Sequence, residues 1–384
     1  MKKQLREKGS TSHEYWIYPS SHTLLEIALY YGFTPISPIH TEKTEKLEEI
    51  PLYSEEIVSV LKNHFAKGMS QLPLTLVRER KLEKKDTSKR FECCLDVVGT
   101  SRSIADALTI KTAYEMIREE YGNNVFIEIN SIGDKESLAR FNRELTNYFR
   151  KNITELDPEC RQALKKSAFA AIACQHEKCQ EIKRSAPHPM SYLSEVSRSH
   201  FKEVLEHLEM AELPYTINTK LVQYQDFASH TLFKIFVQEE GNPQPMLVAS
   251  GARWAGLAKK IGFKRDVQGV TAVISLKKSV EPKSSKKIAK PKCYFIQMGQ
   301  EAKMRSLSLI ETLRKAHIPV YHSLSKDKLT AQLSSAENLK VPFVLIMGQK
   351  ESMENTVLVR EMYNRSQETI RIDMVADYLK KLIK

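Results

Sequence analysis

The chain has 384 residues, of which 41% are hydrophobic and 28% are charged, and its formal net charge is +12. This length suffices for two or three domains with their own cores, and the composition excludes a disordered or fibrous protein. The chain has no apolar run near the roughly 20 residues of a membrane-spanning helix, and its charged N-terminus lacks the apolar core of a signal peptide. We therefore expect a cytoplasmic protein with no membrane partner, whose positive charge favours phosphate-rich ligands.

The cysteine content points to reduced thiols. Six cysteines in a chain of this size do not indicate a disulfide framework. Cys174, His176 and Cys179 form a Cys-x-His-x-x-Cys cluster of residue types that bind zinc. Paired cysteine spacing occurs only once, however, so we favour a reduced, partly buried set in a small helical region. The sequence thus predicts no metal site, and a zinc ion on these residues is the alternative.

The first part of the chain predicts two helices. Thr23-Leu-Leu-Glu26 has the spacing of a capping box in front of an apolar stretch, and Gly32 follows as a C-terminal stop. This helix is expected to continue into an extended Phe33–Pro38. A longer helix is expected over Ile104–Tyr121, where apolar residues recur close to helical spacing, and Gly122 ends it.

A strand, a helical region and further strands follow. Val125–Ile129 alternates like a strand, and residues 135–211 are helix-like apart from breaks at Pro158, Pro187 and Pro189. Strand-like runs return at Tyr215–Ile217, Thr231–Gln238, Met246–Ala249 and Gly269–Ser275. Their regular distribution predicts an antiparallel sheet with helices packed around it, and a helical insertion between two sheet segments.

A basic segment separates these elements from the last part of the chain. Ser279–Lys292 is rich in Lys, Ser and Pro with almost nothing to bury, which is typical of a linker; the alternative is a basic surface loop within one domain. Beyond it we predict strands at Cys293–Met298, Val320–Ser323, Phe343–Gly348 and Thr356–Met362, and helices at Glu301–Ala316, Lys326–Leu339 and Met374–Leu382. This alternation predicts an α/β domain on a mixed sheet, without a glycine-rich phosphate-binding motif.

Two segments carry patterns of one known family. Leu329-x-x-Gln332-Leu333-x-x-Ala336 is followed by Pro342-Phe-Val-Leu-Ile-Met-Gly348. Several short patterns stand between Ser131 and Asn218, namely Thr154–Asp157, Cys174…Cys179-Gln180, Ala186-Pro187, Tyr192-Leu193, Ser199–Phe201 and Pro214–Thr216. The first motif resembles the anticodon-binding domain of histidyl-tRNA synthetase, a class II aminoacyl-tRNA synthetase. The short patterns between Ser131 and Asn218 resemble, in kind and order, the insertion of that family. The resemblance covers nearly the whole chain.

The resemblance implies a fold, a reaction and an assembly. The fold is α/β, with an α+β core on a class II antiparallel sheet at residues 1–130 and 212–278, a helical insertion at 131–211, a linker at 279–291 and a mixed-sheet, anticodon-binding-like domain at 292–384. The reaction is activation of histidine with ATP and Mg²⁺, which needs carboxylates for the amino group and arginines for the polyphosphate. The assembly is a homodimer, since motif 1, here the Thr23–Tyr31 helix and Pro38, pairs subunits in class II enzymes.

The substrate motifs in the first part of the chain are altered. Where the family reads Arg-Pro-Glu-Gly-Thr, this chain reads Tyr53-Ser-Glu-Glu-Ile57, so that Glu55 keeps the carboxylate. Motif 2 is matched by Val77-Arg78-Glu79-Arg80, where the position of the ATP-clamping arginine falls on Val77 without a gap and on Arg78 only after a one-residue shift. Where the family reads Gln-Phe-Gly-Val-Glu, this chain reads Glu92-Cys-Cys-Leu-Asp96. The resemblance implies that Glu92 and Asp96 contact the substrate.

The later motifs have changed more. The family signature Leu-Val-Arg-Gly-Leu-Asp-Tyr-Tyr becomes Leu221-Val-Gln-Tyr-Gln-Asp-Phe-Ala228, with Gln223 at the catalytic arginine position, Asp226 retained and Phe227 in place of a tyrosine. Gly-Gly-Arg-Tyr-Asp becomes Gly251-Ala-Arg-Trp-Ala255, which keeps Arg253 as an expected substrate contact. Motif 3 ends in Lys278, which keeps a positive charge but lacks the planar fork of arginine.

These replacements predict loss of histidine activation. Removing one preorganised transition-state contact costs ~10²–10³ in rate, so altered arginine positions at motif 2, Gln223 and Lys278 leave little catalysis. In the competing interpretation, Arg78, Arg80 and Arg253 supply compensating charge. The chain is then an active, divergent histidine–tRNA ligase that binds ATP and Mg²⁺.

The leading hypothesis is a non-catalytic synthetase paralogue, without a cofactor, that binds tRNA or a partner protein. A synthetase-like regulatory subunit of another enzyme is a third interpretation, and the domain at 292–384 counts against it because such relatives usually lack that domain. RNA contacts are expected from lysines of the motif 2 loop and the linker, namely Lys81, Lys84, Lys85, Lys286, Lys287 and Lys290.

Overall fold

The computed structural model describes residues 15–17, 24–40, 54–65, 73–81, 90–173, 176–222, 227–277, 287–324 and 326–383. Among these residues, no helix has the length and apolar character needed to cross a membrane. They form a large sheet with its helices, a group of helices inserted between two of its strands, and a smaller sheet near the C-terminus.

A nine-stranded sheet organises the first part of the described chain. The strands are β1 (Tyr15–Ile17), which lies outside this sheet, then β2 (Thr34–Pro35), β3 (Ile39–His40), β4 (Leu74–Lys81), β5 (Arg90–Val98), β6 (Val125–Gly133), β7 (Tyr215–Ile217), β8 (Ala228–Val237), β9 (Met246–Trp254) and β10 (Gly269–Lys277). Their order is β2-β4-β5-β10-β9-β8-β6-β7, with β3 paired to β4. In the order of the sheet, every neighbouring pair between β4 and β6 is antiparallel. At the edges, β2 and β3 pair in parallel with β4, and β7 pairs in parallel with β6. The predicted antiparallel sheet is confirmed.

Helices cover both faces of this sheet. They are α1 (Leu25–Tyr30), α2 (Ser54–Phe65), α3 (Ser103–Tyr121), α4 (Lys135–Lys151), α5 (Pro158–Lys166), α6 (Ala168–Ala173), α7 (Gln180–Arg184), α8 (Glu195–Met210) and α9 (Leu257–Lys260). Since side chains alternate along a strand, the two faces bury different clusters. On β5, Leu95 and Val97 join a cluster with α1, α3 and α8, which we call the helix face. Cys94 and Val98 join a cluster with Ile57 of α2 and residues of α9, which we call the site face.

The longest core helix, α3, confirms the prediction for residues 104–121. All of its residues from Ser103 to Ile117 are buried, because the sheet packs on one side and other helices pack on the rest. Gly122 ends it with a φ of 73°, a left-handed conformation that favours glycine. The N-terminal helix is shorter than its predicted span, and Thr23 of the predicted capping box lies outside the described residues.

The helices α4 to α7 confirm the predicted helical region and enclose a cluster of their own. Phe141, Leu145 and Phe149 recur at i, i+4 spacing on α4 and are fully buried in it. Pro158 occupies the first turn of α5, where a missing N–H costs nothing, so it begins that helix. In contrast, α8 packs on α3, and its Phe201 belongs to the helix face. The division of the chain into domains stays a prediction.

The cysteines of this region lie inside the apolar cluster. Cys160 and Cys179 are buried, reduced thiols, and His176 Nε2 lies 3.4 Å from Asp157 Oδ2. Cys174 lies outside the described residues. Within the described ranges, no group of three or more His, Cys, Asp or Glu side chains has the geometry to hold a metal ion.

A mixed five-stranded sheet forms the C-terminal domain. Its elements, preceded by β11 (Lys287–Ala289), are β12 (Cys293–Gln297), α10 (Gln300–Lys315), β13 (Val320–His322), α11 (Leu329–Asn338), β14 (Phe343–Met347), α12 (Gln349–Glu354), β15 (Thr356–Glu361), β16 (Gln367–Arg371) and α13 (Val375–Ile383). The order is β13-β12-β14-β15-β16, parallel as far as β14 and antiparallel beyond it. The predicted mixed sheet is confirmed.

Part of the predicted linker has regular structure. The strand β11 pairs antiparallel with β1, so that Tyr15 stands opposite Ala289 and Ile17 opposite Lys287. The composition of the segment gave no sign of this strand, because a three-residue strand needs a partner rather than a hydrophobic pattern. A segment near the N-terminus and a segment just before the C-terminal domain thus meet in one small ribbon.

Candidate active site and nucleic-acid surface

The predicted motif 2 arginines lie on the site face, where three neighbouring strands bring polar side chains together. The register places Arg78 of β4 opposite Cys94 of β5, and Asp96 of β5 opposite Thr271 of β10. Paired residues of an antiparallel sheet point to the same side, so these side chains share one surface. The structure therefore brings together Arg78 and Asp96, two of the predicted site residues, and adds Thr271.

Arg78 is enclosed by carboxylates. Its Nε donates to Asp96 Oδ2 at 2.9 Å, and its Nη2 donates to Glu56 Oε2 at 3.0 Å. The side chains of Arg78 and Glu56 are 0% exposed, and that of Asp96 is 1% exposed. Burial alone would lower the pKa of the guanidinium, but Cys94, Asp96 and Glu56 beside it raise that pKa well above its usual range. Arg78 is therefore charged and already paired.

Arg80 extends the same network. Its Nε donates to Glu56 Oε1 at 2.6 Å, and its Nη1 donates to Glu92 Oε2 at 3.2 Å. Glu56 thus bridges the two arginines with its two oxygens. Burial would lower the pKa of Arg80, but the neighbouring Cys94, Glu56 and Glu92 raise it. Burial also raises the pKa of the Cys94 thiol, which lies beside both arginines.

The sequence reasoning missed Glu56. It assigned the carboxylate to Glu55, whose side chain is exposed, whereas Glu56 points inward to the arginines. Consecutive helix residues point about 100° apart, so only one of the two can face the sheet. Val60 lies four residues after Glu56 and is buried on the same side of α2. This i, i+4 spacing was the signal that could have selected Glu56.

Beside the arginines, the site face is filled by apolar and aromatic side chains. Trp254 is 0% exposed and donates through Nε1 to Thr271 Oγ1 at 3.0 Å, and Thr271 Oγ1 donates to Asp96 Oδ1 at 2.7 Å. A Cβ at Gly269 would stand 2.4 Å from the Trp254 ring, so only glycine fits there. Phe227 is buried in the same apolar cluster. The second oxygen of Asp96 is thereby occupied as well.

Arg253, a predicted substrate contact, lies on the opposite face of the sheet. Its Nε lies 3.1 Å from Asp106 Oδ2, and its Nη1 donates to the Thr100 carbonyl at 2.9 Å. Its Nη2 donates to the carbonyl of Arg102, the N-cap residue of α3. Burial would raise the pKa of Asp106, but Arg253 and His200 hold it far below its usual range. Arg253 therefore anchors α3 and does not meet Arg78.

Several predicted site residues cannot be placed. Gln223, Asp226, Lys278, Lys84, Lys85 and Lys286 lie outside the described residues. Lys81 and Lys287 are described only as strand residues, and Lys290 is partly buried next to β12. Their roles stay predictions.

The β15–β16 hairpin of the C-terminal domain has two faces of opposite charge. On one face the register pairs Arg360 with Gln367 and Thr356 with Arg371. On the other face Glu368 points towards α13, where it lines a cavity of about 290 Å³ together with Glu361. The alternation of side chains along the two strands causes this separation. The arginine face suits a phosphate backbone, and the face towards α13 does not.

The tip of this hairpin presents an aromatic ring and a further arginine. Tyr363 is 95% exposed, and the exposed Arg365 follows two residues later. The turn is held by the Ser366 N–H, which donates to Asn364 Oδ1 at 2.8 Å, and by Asn364 Nδ2, which donates to Glu361 Oε2 at 2.6 Å. An exposed tyrosine beside an arginine is suited to stacking on an unpaired base.

Known proteins resemble this chain over most of its length. Residues 292–382 match the family model described as an anticodon binding domain. The chain is 29% identical over 292 residues to the histidine–tRNA ligase of Geobacillus sp. (strain WCH70), a match that covers 75% of this chain and 69% of that protein. Over about three quarters of its length, the chain is similar to histidine–tRNA ligases.

A second relative is similar over the same share of this chain. The histidine–tRNA ligase 2 of Bacillus anthracis is 28% identical over 295 residues, covering 75% of this chain and 70% of that protein. Among solved structures, apo histidyl-tRNA synthetase from S. aureus has 20% sequence identity and a TM-score of 0.46, and the match covers 84% of this chain and 81% of that one.

In the candidate site, charged side chains of this chain pair with one another. The arginine that the resemblance assigns to ATP, Arg78, holds two carboxylates of the same chain, and Arg80 holds two as well. If ATP and Mg²⁺ bind, the residues that could meet them are Arg78 and Arg80 for phosphate, and Glu92 and Asp96 for histidine. Glu56 occupies Arg78 Nη2 and Arg80 Nε, whereas Arg78 Nη1 is buried without a hydrogen-bond partner.

Proposed function

We propose that this protein is a histidyl-tRNA synthetase-like chain that does not activate histidine and that binds structured RNA through its C-terminal domain. The single observation that carries the first half is the enclosure of Arg78 by Glu56 and Asp96 on a fully buried surface. We infer a cytoplasmic location from the reduced cysteines, because thiols stay reduced in that compartment. The positive charge of the chain suits contact with RNA.

The enclosure opposes ATP binding for an electrostatic reason. A polyphosphate needs free guanidinium groups, and here three carboxylates, Glu56, Glu92 and Asp96, surround two guanidinium groups. A buried pair that loses one partner costs about 3–5 kcal/mol, because the other charge stays desolvated and unpaired. Displacing Glu56 from both arginines would therefore cost a large part of the free energy of ATP binding, which would weaken that binding.

An active, divergent histidine–tRNA ligase is the alternative. The observation that favours it is the similarity to relatives that bear that name at 26–29% identity over about three quarters of this chain. In that case α2 swings away, and Arg78 and Arg80 become the phosphate contacts. Histidine-dependent pyrophosphate exchange separates the two functions because it requires no tRNA.

The RNA-binding half of the proposal rests on the arginine face and tip of the β15–β16 hairpin. Arg360, Arg365 and Arg371 lie on this hairpin, and Arg371 also contacts the exposed Asp373 at 2.8 Å. A net charge of +12 attracts any polyanion, so charge alone does not identify RNA. The exposed Tyr363 adds a stacking contact that a simple polyanion cannot use.

Replacing all three hairpin arginines by alanine in the full chain is expected to weaken tRNA binding and to flatten its salt dependence. Each lost phosphate contact should change the slope of log affinity against log salt by roughly 0.7–0.9. Tyr363→Ala should weaken binding by about 1–3 kcal/mol while leaving that slope unchanged, because stacking is not ionic. Fluorescence anisotropy with labelled tRNA over a range of salt concentrations measures both effects.

The matched control replaces Arg140, Arg143 and Arg150 of α4 by alanine. This triple variant loses the same amount of positive charge in the helical region. An equal loss of affinity in the two triple variants would mean that total charge, and not the hairpin, determines binding. If wild-type protein does not prefer tRNA to an unrelated RNA of equal length at physiological salt, a protein partner becomes the better proposal.

A further inference from the structure

The cavity of about 290 Å³ in the C-terminal domain lies between the β15–β16 hairpin and α13, on the side opposite the arginine face. Phe343, Val359 and Leu382 supply the apolar part of its lining. Phe343 and Val359 are at most 8% exposed, whereas Leu382 is 40% exposed, so the cavity opens to solvent beside α13. Ligand pockets start at about 300 Å³, so this volume suits one side chain or a molecule of that size.

Two carboxylates and a tyrosine also line the cavity. The register pairs Phe343 with Glu361 and Val359 with Glu368, so both carboxylates stand on the face that carries the two apolar residues. Tyr378 of α13 lies across from the strands, and its hydroxyl donates to Glu368 Oε2 at 2.6 Å. The cavity therefore combines an apolar and aromatic surface with two negative charges.

Each carboxylate has one oxygen engaged within the domain. Glu361 Oε2 accepts from Asn364 Nδ2 at 2.6 Å, and Glu368 Oε2 accepts from Tyr378. Among the residues that the structure describes, neither Oε1 atom has a protein donor and neither carboxylate has a cationic partner; this includes the exposed Lys380 and Lys381 of α13. Two negative charges thus stand beside an apolar surface without a counter-charge in the described part of the chain.

The engaged oxygens favour one kind of cation. A guanidinium group binds a carboxylate best through both oxygens at once, and here one oxygen of each carboxylate is already used. An ammonium group has three donors on a compact head, so it can bond to one oxygen of each. An aliphatic stem attached to it would pack on Phe343 and Val359, as lysine stems pack on apolar surfaces.

We propose that this cavity, the amine cavity, binds an alkylammonium group, a class that comprises lysine side chains and aliphatic polyamines. The stem lies on the apolar lining, and Glu361 and Glu368 share the ammonium head. The site goes beyond the proposed function, because it lies on the face of the hairpin opposite Arg360 and Arg371. RNA on the arginine face and an amine in the amine cavity can therefore be bound at the same time.

Methyl NMR on the full chain tests the proposal, because Val359 and Leu382 carry methyl groups and line the cavity. With n-butylammonium as the probe, we expect saturable shifts of both signals. The controls are n-butanol, which has the stem without the charge, and ammonium chloride, which has the charge without the stem; neither should give saturable shifts. Equal affinity for n-butanol and n-butylammonium would overturn the proposal, and so would the absence of saturation with n-butylammonium.

Glu368→Gln adds the specific test. It keeps the shape of the side chain and removes one charge, so the affinity for n-butylammonium should fall about tenfold with the loss of a charge-assisted hydrogen bond. Glu337→Gln is the matched control, since it makes the same change at an exposed position of α11 outside the cavity and should bind like the wild type. Equal affinities of the two variants would contradict the proposal. Glu368 is exposed, so its replacement should leave the fold intact.

Two larger probes distinguish the sources of the amine. Spermidine represents a free polyamine, and the peptide acetyl-Ala-Ala-Lys-Ala-Ala-amide represents a lysine side chain of a protein. Tighter binding of spermidine than of n-butylammonium would support a polyamine site, and tighter binding of the peptide would support a protein partner. If neither probe shifts the Val359 and Leu382 signals, the proposal is wrong. None of these measurements uses RNA or ATP, so their outcome is separate from that of the proposed function.

Discussion

Purified full-length protein is expected to catalyse no histidine-dependent exchange of pyrophosphate into ATP above a control without histidine. The exchange needs a guanidinium group that holds the polyphosphate, and Arg78 is instead bonded to Glu56 and Asp96 with its side chain fully buried. Loss of one preorganised contact costs ~10²–10³ in rate, and the altered positions Gln223 and Lys278 add to this loss. Such effects are not additive, so a single large deficit is the expected result.

An active histidine–tRNA ligase assayed in parallel provides the positive control. Exchange that requires histidine and disappears in Arg78→Ala would contradict the prediction, because it would show that Arg78 is available to ATP. Exchange that persists in Arg78→Ala would point to a contaminating enzyme.

The second large effect concerns stability. Arg78→Ala is expected to lower the free energy of unfolding by about 3–5 kcal/mol, because Glu56 and Asp96 stay buried after their shared partner is removed. An arginine that serves only ATP binding would behave differently: its loss would abolish activity and leave stability nearly unchanged. Urea unfolding followed by circular dichroism measures the difference.

The control for this variant is Arg365→Ala, which removes an exposed arginine from the hairpin tip and should change stability by less than about 0.5 kcal/mol. If Arg78→Ala and Arg365→Ala had equal free energies of unfolding, the Glu56–Arg78–Asp96 network would not stabilise the fold. That result would remove the main physical support for a closed site.

The elements that could be predicted are those with strong internal periodicity. The buried strand Phe343–Met347 and the long helix Ser103–Tyr121 carry clear apolar patterns, and the structure contains both. The strand Gln367–Arg371 was not predicted, because its residues are mostly exposed and polar and it forms by pairing with β15. Pairing of distant segments is also why the β1–β11 ribbon left no signal in the composition of the linker.

The site was predictable only in part, for a related reason. The motifs singled out both Arg78 and Asp96 as site residues, and the strand register brings their side chains within hydrogen-bond distance. The motifs could not show that Glu56, on a helix 22 residues away along the chain, neutralises Arg78. The opposite orientation of Arg253 was likewise hidden, since one residue along a strand changes the face on which a side chain lies. The docking of the C-terminal domain depends on contacts such as Tyr31 with Glu311, which are 280 residues apart.

Binding of a hydrolysis-resistant histidyl-adenylate analogue to the full-length protein, followed by isothermal titration calorimetry, tests most directly whether the site face is closed. With Arg78 and Arg80 held by Glu56, we expect no saturable binding with a Kd below ~1 mM. Stoichiometric binding in the micromolar range would contradict the account, because it would show that the arginines release Glu56 for the ligand.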